Sequence, residues 1–461
     1  MRGGERWPAC IAALLLTGCM VGPRYERPDV QTPAAYLRAP TGAEAASIAD
    51  VGWWQVFDDP QLVALIHEAL NENLDLAIVA TQIDQSLGQL AVARSPIFPQ
   101  VSGRVQGSRG NNNNVFVNEN NFAAALALSW ELDLWGRYRS ATAAARATLL
   151  ATEEARSGII ASLVAGVAQR YLEINGLHQR MAVVQQTAAA LRDSLHLVTL
   201  LAENGVQSEA EVKQAETQLL VTESQIPAIE LQIAQAEDAL AILLGKPPRT
   251  FDIGADLPAG AVPPRVPPGI PSELLARRPD IRQAEQQLIA ANANVGVARA
   301  QFFPSISLTG ALGRASEALV GLASSGGVTT RGLTAGIGVP IFSGGALVGN
   351  YDVARAQAEQ ATLQYRRTVL VALQEVSDAL ISYDRNGAQA QVNRDRVNAS
   401  ADYLKLSQLR FRSGVISYLE VLDAQRQLLS AQLDLNAAEV SQRLAAVQLY
   451  RALGGGWNPS Q

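Results

Sequence analysis

The stretch Ala91-Val-Ala-Arg-Ser-Pro-Ile-Phe-Pro-Gln-Val-Ser102 returns, lightly altered, as Gly296-Val-Ala-Arg-Ala-Gln-Phe-Phe-Pro-Ser-Ile-Ser307. Further markers repeat behind it: Gly205-Val206 as Gly414-Val415, Glu211-Val212 as Glu420-Val421, Gln218-Leu-Leu220 as Gln427-Leu-Leu429, and Leu244-Gly245 as Leu453-Gly454. The copies lie 205 residues apart at the first marker and 209 at the later ones, so a small insertion separates them. Solenoid repeats run to about 50 residues, so a period this long denotes a duplicated, domain-sized unit. The units span residues 62–245 and 272–456, joined by a connector, 246–271, in which Pro247, Pro248, Pro258, Pro263, Pro264, Pro267, Pro268 and Pro271 enforce an extended chain.

Within each unit the hydrophobic period changes twice. Residues 74–95 and 278–300 have helical spacing. After each Phe-Pro the period drops to two: Val101, Gly103 and Val105 alternate with Ser102, Arg104 and Gln106, and Ile306, Leu308 and Gly310 with Ser307 and Thr309. A second strand follows each. Leu126, Leu128, Trp130, Leu132 and Leu134 alternate with Ala127, Ser129, Glu131 and Asp133; Leu333, Ala335, Ile337, Val339 and Ile341 alternate with Thr334, Gly336 and Gly338. Each unit therefore carries one β-hairpin, about 100–134 and about 304–342.

The remainder has coiled-coil spacing. Ile174, Leu177, Met181, Val184, Ala188, Leu191, Leu195, Val198 and Ala202 step by three and four. Past the Asn204-Gly205 turn a return arm, 208–244, continues through Val212, Ala215, Leu219, Thr222, Ile226, Ile229, Ile233, Ala236, Leu240 and Leu243. The second return arm keeps the spacing with smaller residues: Val421, Ala424, Leu428, Ala431, Leu435, Ala438, Ala445 and Leu449. Repeat symmetry extends the reading to a descending helix over about 344–411. At 1.5 Å per residue, a helix over 137–203 is roughly 100 Å long.

Composition agrees. The 461 residues include 75 alanines but only 5% aromatics, so closely packed helices replace a conventional aromatic core. A formal charge of -6 leaves no basic face for nucleic acid. With 2 Cys and 3 scattered His (His67, His178, His196), metal sites, resident cofactors and thiol chemistry are not expected, and no local signature marks a catalytic residue.

Both cysteines fall in the first nineteen residues. Arg2 and Arg6, then the apolar run Ala9–Leu16, read as a signal peptide over 1–18, too short for a permanent span. Leu16-Thr-Gly-Cys19 resembles the lipobox of bacterial lipoproteins, which implies lipid attachment at Cys19; Met20 behind it implies sorting to the outer membrane, with 19–61 as the anchored N-terminal segment and 457–461 a short tail.

Strands of membrane length with one apolar face need a closed barrel, because no open edge survives in lipid. Four strands cannot close. Three chains give twelve strands and a lumen, whereas two give an eight-stranded barrel plugged by its own side chains.

The chain resembles the TolC-like outer membrane efflux proteins, in their lipoprotein branch of NodT type. The resemblance rests on Cys19-Met-Val-Gly-Pro-Arg-Tyr-Glu-Arg-Pro28, Trp53-Trp-Gln-Val-Phe-Asp-Asp-Pro-Gln-Leu62, Ala69-Leu-Asn-Glu-Asn-Leu-Asp75, Leu132-Asp-Leu-Trp-Gly-Arg137, Arg277-Arg-Pro-Asp-Ile-Arg282, Pro340-Ile-Phe-Ser-Gly-Gly345 and Phe411–Arg426. It implies a mixed α and β membrane protein: a homotrimer with a shared twelve-stranded transmembrane β-barrel and a long periplasmic α-helical barrel. The implied role is the outer membrane exit duct of a tripartite RND-type system, exporting drugs or other small toxic compounds without catalysis. The implied partners are a periplasmic adaptor, an inner-membrane RND transporter and outer membrane lipid. The resemblance further implies a periplasmic gate at Leu419, a hydrophobic constriction, and Asp423, an acidic ring, for which the first unit has only Ala210 and Gln214. It makes the tips, with Gly205, Val206, Phe411, Arg412, Gly414 and Val415, adaptor-docking hairpins; the first tip departs from the pattern in having Ala202 and Glu203 where the second has Phe411 and Arg412. The sequence leaves two alternatives, an exit duct for type I secretion and a non-conducting periplasmic coiled-coil scaffold.

Overall fold

The computed structural model describes residues 20–36, 59–111, 118–255, 271–324 and 326–455. The signal peptide, Cys19, the Trp-Trp motif, most of the proline-rich connector and the C-terminal tail lie outside them. In chain order the elements are α1 (Pro60–Glu72), α2 (Leu74–Arg94), β1 (Gln100–Asn111), β2 (Asn118–Leu132), α3 (Arg137–Glu203), α4 (Glu209–Glu223) and α5 (Gln225–Leu243). The second repeat follows with α6 (Leu274–Arg277), α7 (Pro279–Ala300), β3 (Ser305–Ser316), β4 (Val328–Gly338), α8 (Ala346–Arg412) and α9 (Tyr418–Ala452). The two long helices, α3 and α8, have 67 residues each and start and stop at equivalent positions. The duplication is thus carried in the backbone, and the change of offset falls in the second hairpin turn, where Leu319–Leu322 forms a 3-10 turn.

Two compact units divide the chain. One comprises Thr81–Glu153 and Gln283–Arg367 with the chain up to Asp29; the other comprises Val30–Ala80, Glu154–Arg282 and the chain from Thr368 onward.

In the first unit the strands form one antiparallel sheet in the order β1-β2-β3-β4. The two hairpins are joined by β2 pairing with β3, in a register that sets Leu126 opposite Leu312 and Trp130 opposite Leu308. The registers assemble one apolar face from Val101, Val105, Leu126, Leu128, Trp130, Ile306, Leu308, Leu312, Leu333 and Ile337. The opposite face is small and polar, with Ser129, Thr309 and Thr334 in one cross-strand row. On the apolar face Val105 is 76% and Leu333 79% exposed, which is the pattern of a sheet that meets lipid. The alternation expected through Ile341 ends at Gly338, because Pro340 has no N–H to continue the ladder.

The Leu132–Arg137 motif turns the strand into α3. Asp133 accepts hydrogen bonds from the backbone N–H groups of Tyr138 and Arg139 at 3.1 and 2.9 Å, supplying the helix start with the carboxylate it favours. Gly136 takes a φ of 76°, and the Trp135 ring stacks on Phe303 at 4.8 Å while its indole N–H donates to the Pro304 carbonyl.

The N-terminal segment is strapped to the same unit. The Val21 N–H donates to the Trp135 carbonyl, the Asn292 amide donates to the Pro23 carbonyl, and Tyr25 and Arg27 both donate to the Glu285 carboxylate. Gly22 passes so close to Gly296 that a Cβ on either would meet the other's backbone. This contact explains why the second repeat has Gly296 where the first has Ala91.

In the second unit the heptad positions are the core. Ile174, Val184, Val198, Thr222, Leu240, Ala424, Ala431 and Leu449 are fully buried. The first return arm is not one helix: α4 ends at Glu223 with Ser224 as its cap and α5 begins at Gln225, because Pro227 has no N–H for the Glu223 carbonyl.

Candidate functional site

Both tips close by the same backbone device. The Val206 N–H reaches back to the Leu201 carbonyl and the Gly205 N–H to the Ala202 carbonyl; Val415 reaches Arg410 and Gly414 reaches Phe411 in the same way. This is the Schellman motif, and it needs the left-handed residue that Gly205 (φ 73°) and Gly414 (φ 69°) provide. The valine behind each glycine, Val206 and Val415, is about two-thirds exposed. An apolar side chain thus sits in solvent at each turn.

The tips differ in what stiffens them. In the first, the Ser208 hydroxyl accepts from the Glu211 N–H and the Glu211 carboxylate accepts from the Ser208 N–H, a complete capping box. In the second, Ser417 makes no side-chain cap. There the half-buried Phe411 tilts on Tyr418 at 5.5 Å, both packed with Leu404, Ile416, Val421 and Leu422, and Arg410 lies 3.9 Å from Glu420. Phe411 is therefore part of the tip's packing, whereas Arg412, Gly414 and Val415 are exposed.

Leu419 and Asp423 lie one turn apart at the start of α9. Leu419 is 52% exposed. Asp423 accepts from the Gln427 amide at 2.6 Å and pairs with Arg426 at 3.2 Å, both on its own helix. The acid expected to form an acidic ring thus has a cation beside it on its own helix, and both side chains are half in solvent, where such a pair is weak. Beside it runs a groove of about 520 Å³ lined by Ala210, Lys213, Gln214 and Thr217 from α4 and Leu419, Leu422 and Arg426 from α9. Ala210 and Leu419, Lys213 and Leu422, and Thr217 and Arg426 are repeat equivalents, so the groove is a pseudo-symmetric seam with a polar wall and a mostly apolar one.

Two polar clusters were not singled out from the sequence. Arg278 is 7% exposed and donates to Asp280, to Glu375 and to the Ala452 carbonyl. Gln425, 6% exposed, donates to the Ser194 hydroxyl across the α3–α9 seam. Arg278 and Asp280 lie within a quoted motif, but Glu375 and Ala452 are distant from it in sequence.

A sheet with an apolar face and two terminal strands that have no partner among the described residues, together with two paired coiled-coil hairpins, defines an outer membrane channel subunit. The family model described as outer membrane efflux protein matches residues 65–246 and 270–455, and the chain belongs to that family. It is 37% identical over 466 residues to the toluene efflux pump outer membrane protein TtgC of Pseudomonas putida, covering 97% of this chain and 94% of that one. It is 34% identical over 465 residues to the cation efflux system protein CusC of Escherichia coli, covering 98% of both. The open-state structure of the MtrE outer membrane channel of Neisseria gonorrhoeae matches with a TM-score of 0.87 at 31% identity, covering 95% of this chain and 99% of that one. The protein is an outer membrane efflux channel and not an enzyme.

Proposed function

We propose that three copies of this chain form the exit duct of a tripartite RND-type efflux system that carries small toxic organic compounds out of the cell. The observation that carries this reading is the four-stranded sheet. It has one apolar face, interrupted by Arg314 and Arg331 toward the β3–β4 turn, and its edges β1 and β4 have no partner within the chain among the described residues. In lipid those edges must be paired, and three copies joined edge to edge close a barrel wide enough for a lumen. The assembly would be anchored by lipid on Cys19; in support, Met20 packs directly on Gly136 where the sheet hands over to α3. The periplasmic adaptor would dock at the tips, on Gly205, Val206, Arg412, Gly414 and Val415, with Phe411 supporting them from behind, and the inner-membrane RND transporter would deliver cargo through it. The gate would be Leu419 and Asp423. An organic cargo is favoured over a soft metal because 3 Met and 3 His in 461 residues leave few ligands for one.

Native mass analysis and planar-bilayer recording test this together: a trimer with discrete conductance steps is expected, and a monomer or silent bilayers would sink it. Asp423→Ala is expected to change the open fraction and its cation dependence. Deleting the gene and profiling solvent, drug and metal sensitivity tests the cargo.

A further inference from the structure

Along α9 the gate residues alternate with two that point into the protein. Tyr418 is 2% exposed and belongs to the apolar cluster of Ala188, Leu191, Val198, Ala215, Leu219, Val421 and Leu422. Gln425 donates its Nε2 to the Ser194 Oγ of α3 at 3.2 Å. The Gln425 Oε1 is buried with no hydrogen-bond partner among the described residues. The Tyr418 hydroxyl is also buried and makes no hydrogen bond of normal geometry, although it faces Ser194; burial raises its pKa and Ser194 works against that rise. The first repeat has nothing comparable. There the positions of Tyr418 and Gln425 are Glu209 and Glu216, and Glu216 lies on the surface, paired with Lys213. Like the proposed gate, this polar contact belongs to α9 alone.

A polar pair in a coiled-coil seam fixes register, but a half-satisfied one costs more than an apolar seam would. Beside the gate residues one hydrogen bond holds α9 to α3, while two buried oxygens oppose the packing; the next bond between the two helices, Asn436 to Gln179, lies three turns further along. Both oxygens would meet water if the helices parted. We infer that the Ser194–Gln425–Tyr418 contact is a positioning latch that sets how readily α9 leaves α3, and with it the opening of the gate at Leu419 and Asp423. The inference rests on that gate reading. Tyr418 immediately precedes Leu419 and Gln425 lies two residues beyond Asp423, so a shift of α9 against α3 that moves the gate side chains shears this contact.

The test uses the full-length trimer in planar bilayers. Ser194→Ala strands the Gln425 amide and loosens the seam. Ser194→Ala/Gln425→Leu removes both partners and replaces them with an apolar contact, which tightens it. The two variants are expected to shift the open fraction in opposite directions from the parent, Ser194→Ala by roughly five-fold or more. Tyr418→Phe, which deletes one oxygen and keeps the ring, is expected to follow the double variant and preserves the test if that variant assembles poorly. The latch is overturned if Ser194→Ala and the double variant move the open fraction the same way, or if all three stay within two-fold of the parent while Asp423→Ala changes it. If Asp423→Ala is silent too, the gate reading itself fails and takes the latch with it.

Discussion

In the first repeat the joint between α1, α2 and the end of α5 is built from Asn73, Gly166 and Leu243; in the second, the equivalent positions hold Arg278, Glu375 and Ala452. The Asn73 amide donates to the Leu243 carbonyl at 2.9 Å, and the Arg278 guanidinium donates to the Ala452 carbonyl at 2.9 Å. A glycine with positive φ, Gly245 or Gly454, then turns the chain against Glu72 or Arg277. Around this shared bond the chemistry diverges. In the first repeat Leu243 fills the space that Gly166 leaves beside it, and Asn73 also caps α2 through the Leu76 N–H. In the second, Ala452 is small, and Arg278 occupies the joint with Asp280 and Glu375 as counterions. Burial opposes the Arg278 charge, but the two carboxylates outweigh it and raise its pKa. What the duplication keeps is a donor for an orphan carbonyl in the last turn of the return arm; the means of filling the space is free to change.

The largest expected effect comes from breaking the charged joint. Arg278→Ala leaves two carboxylates and a carbonyl without their donor, and a loss of about 3 kcal/mol is expected, at the low end for a buried pair because Asp280 and Glu375 are partly solvated. Asn73→Ala is expected to cost about 1–2 kcal/mol, for one cap and one buried bond. Unfolding followed by helical circular dichroism measures both, and equal costs would mean that the two joints are energetically the same despite their chemistry.

The return arms give a second contrast. Pro227 divides α4 from α5, whereas the equivalent Asn436 lies inside the unbroken α9 and donates to the Gln179 side chain at 3.0 Å. Asn436→Pro should cost about 3 kcal/mol, from the lost helix bond and ring clash. Pro227→Asn should change stability little while joining α4 to α5, visible as a small gain in helical signal.

These contrasts mark how far the sequence could be read. Heptad spacing found the buried faces of α3, α4 and α5, and period two found the apolar face of every strand, because both depend on which residues share a side. Spacing is blind to a single missing N–H, so the regular step from Thr222 to Ile226 hides the break at Ser224. It is blind also to neighbours: alternation gives the face of β2 but not its pairing with β3. On α9 the expected contact at Leu428 is half-buried while Leu429 and Gln425 are buried, since a helix packed on more than one partner buries a wider face than a two-helix seam. At the gate segment, Arg426 stands three residues from Asp423, a spacing that pairs charges on a helix and tempers the acidic ring inferred from resemblance.

The smallest effects lie at the helix starts behind the tips, where the sequences agree and the structures do not. Ser208 and Glu211 have the same spacing as Ser417 and Glu420, yet only the first pair forms a capping box. Ser208→Ala should therefore cost about 1 kcal/mol. Ser417→Ala should stay within about 0.5 kcal/mol, the range of an ordinary surface change. The cause assigned here is Arg410, which lies beside Glu420 and competes for the carboxylate that the box would use. The first tip has Leu201 at the position of Arg410, so no arginine stands there to pair with Glu211. Removing the competitor should restore the box: in an Arg410→Ala background Ser417→Ala should become as costly as Ser208→Ala. If the cost of Ser417→Ala is the same with and without Arg410, the charge is not what distinguishes the tips, and the difference must come from the Phe411–Tyr418 packing behind the second one.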